Sequence, residues 1–173
     1  MDMSATALIV EVPEAELMVR DLREEFDRVS LLGMPAHITV LYPFLEQSNI
    51  DESQLELMQS VFDGFGNFGF QLNEVGEFQE TVYLSPSPKE RFTDLTKAIE
   101  RMFPEYPPFG GIHDSIIPHL SVLNGSTEHI SKVRKELEIR LKMTGPIESI
   151  CNEVILLEFA NHKWRKLDVF ALN

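Results

Sequence analysis

Pro35-Ala36-His37-Ile38-Thr39-Val40-Leu41 and, 82 residues later, Ile117-Pro118-His119-Leu120-Ser121-Val122-Leu123 are the two stretches from which this fold is read. Each is a short apolar run, rich in β-branched residues, with one imidazole and one hydroxyl two positions apart. A strand repeats its side-chain direction every second residue. His37 and Thr39 therefore project to one face, and so do His119 and Ser121. Ile38, Val40, Leu120 and Val122 project to the other, where a core belongs. A separation of 82 residues is too long for a hairpin and suits a duplicated half-domain. Two halves packed about a pseudo-two-fold axis bring both imidazoles to one cleft. Imidazoles with ordinary pKa values near about 6.5 are matched to paired acid and base work at neutral pH.

The rest of the chain is consistent with two such halves. Ala7–Val12 reads as a strand stopped by Pro13, and 14–29 as a helix with Met18, Leu22, Phe26 and Val29 on one face. Asp51 and Gln54 form a capping-box pattern ahead of the stripe Leu55, Met58 and Phe62. Phe70–Leu72 and Val75 suggest a strand, with Phe78 in its hairpin partner. After position 80 come a strand at Val82–Leu84 and a helix opened by Ser87-Pro88, with Phe92, Leu95, Ile99 and Met102 inward. A proline- and glycine-rich loop from Phe103 to Gly111 leads into the second histidine stretch. Ser126 is expected to cap a helix ended by Gly145-Pro146. A closing hairpin, Val154–Phe159 and Trp164–Leu172, turns at Asn161-His162. The expected fold class is α+β: a bilobal, pseudo-two-fold duplicated fold whose antiparallel-rich sheets line a central cleft, helices outside. The whole chain, 1–173, is expected to be one domain with lobe-forming halves at about 1–80 and 81–173.

Composition bounds the function. A net charge of −13, from 15 basic and 28 acidic residues, repels phosphate backbones and argues against an extended nucleic-acid surface. It leaves room for a small phosphate in a locally neutral pocket. The single cysteine, Cys151, excludes an internal disulfide and a cysteine zinc knuckle. No apolar run approaches membrane-spanning length, and Met1-Asp2-Met3-Ser4 does not open like a signal peptide. A cytoplasmic monomer without membrane contact is expected. There is no P-loop, dinucleotide fingerprint or nucleophile elbow.

The ordered pair His-x-Thr-x and His-x-Ser-x, in a chain of this size, resembles the two-histidine (2H) phosphoesterase superfamily. Tyr42-Pro43-Phe44 after the first motif, and Tyr106-Pro107-Pro108-Phe109-Gly110-Gly111 ahead of the second, resemble its bacterial 2′-5′ RNA ligase-like and cyclic phosphodiesterase branch. The resemblance implies phosphoester chemistry with no metal and no other cofactor. Carried over by position, His37 and His119 are the catalytic pair and Thr39 and Ser121 bind phosphate oxygens. Serine replaces the commoner threonine in the second motif and keeps the hydroxyl. The substrate implied is a small nucleotide or an RNA end with a 2′,3′-cyclic or 2′-5′-linked phosphodiester. Another small cyclic or ADP-ribose-derived phosphate is the alternative within the enzyme class, and a non-catalytic nucleotide-binding module is the alternative outside it. Tyr42, Phe44, Phe109 and Trp164 are candidate base-stacking surfaces, and Lys163 and Arg165 candidate charge partners. His113, His129 and His162 read as loop or surface residues.

Overall fold

The computed structural model describes residues 4–173. Among these residues, eight strands are distributed over two antiparallel sheets. The strands are β1 (Ala7–Glu11), β2 (His37–Leu41), β3 (Phe68–Phe78), β4 (Thr81–Ser87), β5 (Leu120–Asn124), β6 (Ile147–Cys151), β7 (Glu153–Ala160) and β8 (Lys163–Ala171). One sheet runs β2-β1-β7-β8, the other β5-β4-β3-β6. Five helices cover them: α1 (Glu16–Phe26), α2 (Arg28–Leu31), α3 (Glu52–Phe62), α4 (Glu90–Met102) and α5 (Ile130–Thr144). The fold is α+β and bilobal, as the motif spacing predicts. The alternation in both motifs is realised: Ile38, Val40, Leu120 and Val122 are all at most 2% exposed.

The lobes do not follow the halves of the sequence. The expected boundary near residue 80 cuts both sheets. β3, from the first half, pairs with β4 and β6 of the second, and β7, with β8 on its far side, pairs onto β1 of the first. Helices exchange as well: α1 packs on β5 and α4 packs on β2. The Thr96 hydroxyl of α4 donates to the Val40 carbonyl of β2 at 2.7 Å. The physical reason is burial. A strand or helix with one apolar face is stabilised by whichever partner covers that face, at about 25 cal/mol per Å² of apolar area. Hydrophobic pattern defines the face and leaves the partner open.

Four local expectations differ. The helix expected over 14–29 is a 3₁₀ turn, Pro13–Ala15, followed by α1 and α2. Asp27 between them is extended (φ −132°, ψ 101°), and its carboxylate accepts the Val29 N–H to start α2. Ser87 does not cap α4; it ends β4 opposite Gln71, because the ladder with β3 extends that far. Ser126 likewise leaves α5 uncapped by a side chain, and the helix begins four residues later at Ile130. Phe78 closes β3 itself, so the β3–β4 turn is Gln79-Glu80. The strand β6 carries no strong turn signal of its own, and it completes the second sheet by pairing with β3. The Asp51 capping box with Gln54 is present as expected, and so is the closing hairpin turned at Asn161 and His162, both at positive φ.

Candidate active site

Each motif lies at the edge of its sheet, β2 in one and β5 in the other, and the two edges face each other. Their outward residues line a single cleft of about 700 Å³. His37, Thr39, His119 and Ser121 all reach it. Ile9, opposite Thr39 on the neighbouring strand, also lines it, and Tyr83 stands opposite Ser121. A larger open groove, about 960 Å³, runs along Glu11, Glu14, Glu148 and Glu153. It contains no histidine, and its one cation, Lys166, is paired with Glu11 at 3.3 Å.

The two imidazoles are held the same way. The Nδ1–H of His37 donates to the Pro35 carbonyl at 2.7 Å, and that of His119 to the Ile117 carbonyl at 2.6 Å. A carbonyl oxygen only accepts, so Nδ1 carries the proton in the neutral ring and Nε2 keeps its lone pair. Both bonds run from i to i−2, so the chain entering each strand orients its own histidine. Burial pushes both pKa values below 6.5, and the carbonyl bonds oppose it. His37 falls to about 4, lowered further by the charges of Arg23 and His119; His119 is lowered further by His113. Each ring is therefore predominantly neutral in the free protein at neutral pH, and His37 is the more strongly depressed.

Beneath His37 lies a buried ionic group that pattern reading passes over. Arg23, on α1, is 2% exposed and donates through Nη2 to the Met34 carbonyl at 3.0 Å. It also meets Asp27 at 3.7 Å and Glu16 at 3.9 Å. Glu16 in turn accepts the Ala36 N–H at 2.8 Å. Residues 34–36, the approach to His37, are thereby clamped to α1. Burial raises the Asp27 pKa and lowers that of Arg23, and the attraction between the two opposes both changes. By spacing, Arg23 and Asp27 read as part of a solvated helix face, yet Arg23 is 2% and Asp27 3% exposed.

The aromatic candidates separate into cleft and core. Tyr42 and Phe109 line the cleft, joined by a hydrogen bond from the Phe109 N–H to the Tyr42 carbonyl at 2.7 Å. Phe109 has a positive φ of 51°, a left-handed conformation uncommon outside glycine, which aims its ring at the cleft mouth. Trp164 also lines the wall, but it is only 4% exposed and packs edge-on to Tyr42 and Phe159. Phe44 is a correction: it is 2% exposed and packs against Phe103 and Tyr106 in the core. Arg165 is another. Strand alternation turns it away from Trp164's face, and it pairs with Glu158 at 2.7 Å. Lys163, with the same parity, also lies off the cleft. Phe78 and Tyr83, not singled out by the motifs, stack on each other at 4.6 Å and enclose the His119 ring at 5.1 and 5.3 Å. His113 is exposed on a loop as expected, yet it too lines the cleft, edge-on to Phe109.

Two imidazoles, one opening β2 and one immediately ahead of β5, with their hydroxyls on the strands, facing one cleft between interlocked sheets, define the two-histidine phosphoesterase class. The chain belongs to the 2′-5′ RNA ligase superfamily, whose family model matches residues 10–163. Comparison with curated proteins finds no significant sequence match. Among solved structures, the fold is similar to Escherichia coli LigT complexed with 3′-AMP (TM-score 0.64, 16% identity, 98% of each chain). It is similar to the same protein complexed with NADP+ (TM-score 0.59, 15% identity, 100% of this chain and 99% of that one). TT0787 of Thermus thermophilus also shares it (TM-score 0.55, 15% identity, 97% of each chain). No helix among the described residues is long and apolar enough to cross a membrane.

Proposed function

We propose that the protein hydrolyses 2′,3′-cyclic or 2′-5′-linked phosphodiesters of nucleotides or RNA ends, without a metal, by acid–base catalysis between His37 and His119. The observation that carries this reading is the matched pair: two imidazoles in one cleft, each with Nδ1–H tied to a carbonyl and Nε2 left for substrate. Water attacking phosphorus loses a proton to one Nε2, and the departing ribose oxygen takes a proton from the other ring. Of the two rings, His119 holds a proton more readily, because His37 is the more depressed. His119 therefore enters as the acid and His37 as the base. Thr39 and Ser121 donate hydroxyl hydrogens to the non-bridging oxygens, where charge builds in the transition state. Phe109 and Tyr42 offer a face to the base. Membership of the 2′-5′ RNA ligase superfamily supports the linkage chemistry.

The experiment is turnover of 2′,3′-cyclic nucleotides and 2′-5′ dinucleotides in EDTA. His37→Ala and His119→Ala should each lower kcat by about 10²–10⁴-fold, the usual worth of one positioned acid or base. Activity that needed added metal, or that survived both substitutions, would remove the proposal.

A further inference from the structure

The two-histidine cleft contains no lysine or arginine. Its ionisable side chains, besides tyrosine, are three histidines and the carboxylates of Asp27, Glu80 and Asp114. Asp27 is matched by Arg23 beneath it. Glu80, in the β3–β4 turn, and Asp114, on the loop before β5, are exposed and form no ion pair among the described residues. The nearest arginine on β8, Arg165, is turned away and held by Glu158. Residues 1–3, Met-Asp-Met, include no lysine or arginine either.

From this we infer that the substrate is a mononucleotide-sized phosphodiester bearing a single negative charge, and that Glu80 and Asp114 exclude compounds with further phosphates. The inference rests on the proposed phosphodiester chemistry for its choice of substrate. One imidazolium offsets one phosphodiester charge, and Thr39 and Ser121 supply neutral donors. No other side chain of the cleft offsets a second phosphate. A 5′-phosphate would enter a site with two exposed carboxylates and no lysine or arginine to offset them, so that at low salt the repulsion acts across the cleft. The opening of about 700 Å³ is the size of a small-ligand pocket. The same argument disfavours a diphosphate-bridged ADP-ribose derivative and a 5′-phosphorylated chain running out of the cleft.

The test compares adenosine 2′,3′-cyclic phosphate with its 5′-phosphorylated form at low salt. The 5′-phosphate should lower kcat/KM by about tenfold, equivalent to about 1.4 kcal/mol. The penalty should shrink at 0.5 M salt (about a 4 Å Debye length) and in the Glu80→Gln/Asp114→Asn double variant, both sites being exposed and tolerant of change. Equal or better use of the 5′-phosphorylated compound would overturn the inference, and so would a penalty indifferent to both salt and the double variant. Calorimetric binding of adenosine 2′-phosphate against adenosine 2′,5′-bisphosphate separates the two levels. If no cyclic phosphodiester is turned over but the monophosphate binds better, the hydrolytic proposal falls and the charge selection stands. If the bisphosphate binds as well or better, the charge selection falls.

Discussion

A histidine in a strand says little until its second nitrogen is accounted for. In both motifs the carbonyl two residues back takes the Nδ1 proton, which settles the tautomer and leaves one nitrogen for chemistry. Burial then lowers both pKa values, and the proposed division of labour rests on the inequality between the rings. The proposed mechanism requires one neutral and one protonated ring in the free protein. With His37 as the proposed base, its neutral form persists down to about pH 4, and His119, the proposed acid, loses its proton below 6.5. The profile of kcat/KM against pH should therefore be a bell centred on the acidic side of 6.5, with its acid limb near about 4. A maximum above pH 7, or a flat profile, would contradict this assignment of the pair.

Among the secondary-structure elements, β3 and β4 matter more to the site than their sequences advertise. Tyr83 stands opposite Ser121 on the neighbouring strand and covers the His119 ring together with Phe78. Gly76 of β3 pairs with Tyr83, and a Cβ at Gly76 would fall on the tyrosine ring itself. Gly76→Ala should therefore displace Tyr83, cost about 1–3 kcal/mol of stability from overpacking, and lower kcat by disturbing His119. Urea denaturation and turnover measure the two effects. Unchanged values would mean that the ring has somewhere else to go. At the other lobe, Gly33 is required twice over. It has φ of 86°, and a Cβ there would stand 3.1 Å from the Trp164 carbonyl oxygen. That close approach lets the Trp164 N–H donate to the Leu32 carbonyl at 2.7 Å and holds the β8 end against the chain leading to His37.

For the molecule as a whole, interlocking is the main consequence of the topology. Neither sheet can be assembled from one half of the chain. A fragment of residues 1–80 keeps β1, β2 and α1 but loses β7, which covers β1, and β5, on which α1 packs. It should remain unfolded, with circular dichroism lacking a cooperative thermal transition. In the full chain, Trp164 fluorescence and far-ultraviolet circular dichroism should lose signal at the same urea concentration, because the sheets exchange strands and helices. Two separated transitions would show lobes that fold alone. The same interlocking draws two distant motifs into one cleft, so the site exists only when both lobes are formed.

The amino-acid sequence determined the strands β2 and β5 on which the two motifs lie, the face each hydroxyl shares with its imidazole, and the inward positions of α3 and of α4, except for Met102, which is 43% exposed. These are local matters of period and capping, and residues such as Ile38, Val122 and Asp51 declare them without help. Tertiary structure alone decided which sheet received β3, β7 and β8, that Phe44 belongs to the core, and that Arg165 faces away from the cleft. It also decided that Tyr83, Phe78 and Arg23 support the histidines. Those outcomes depend on which apolar face covers which, and burial is indifferent to order along the chain. The charge of the cleft belongs to the same class. Fifteen lysines and arginines are plain in the sequence, and only the fold keeps every one of them off its walls.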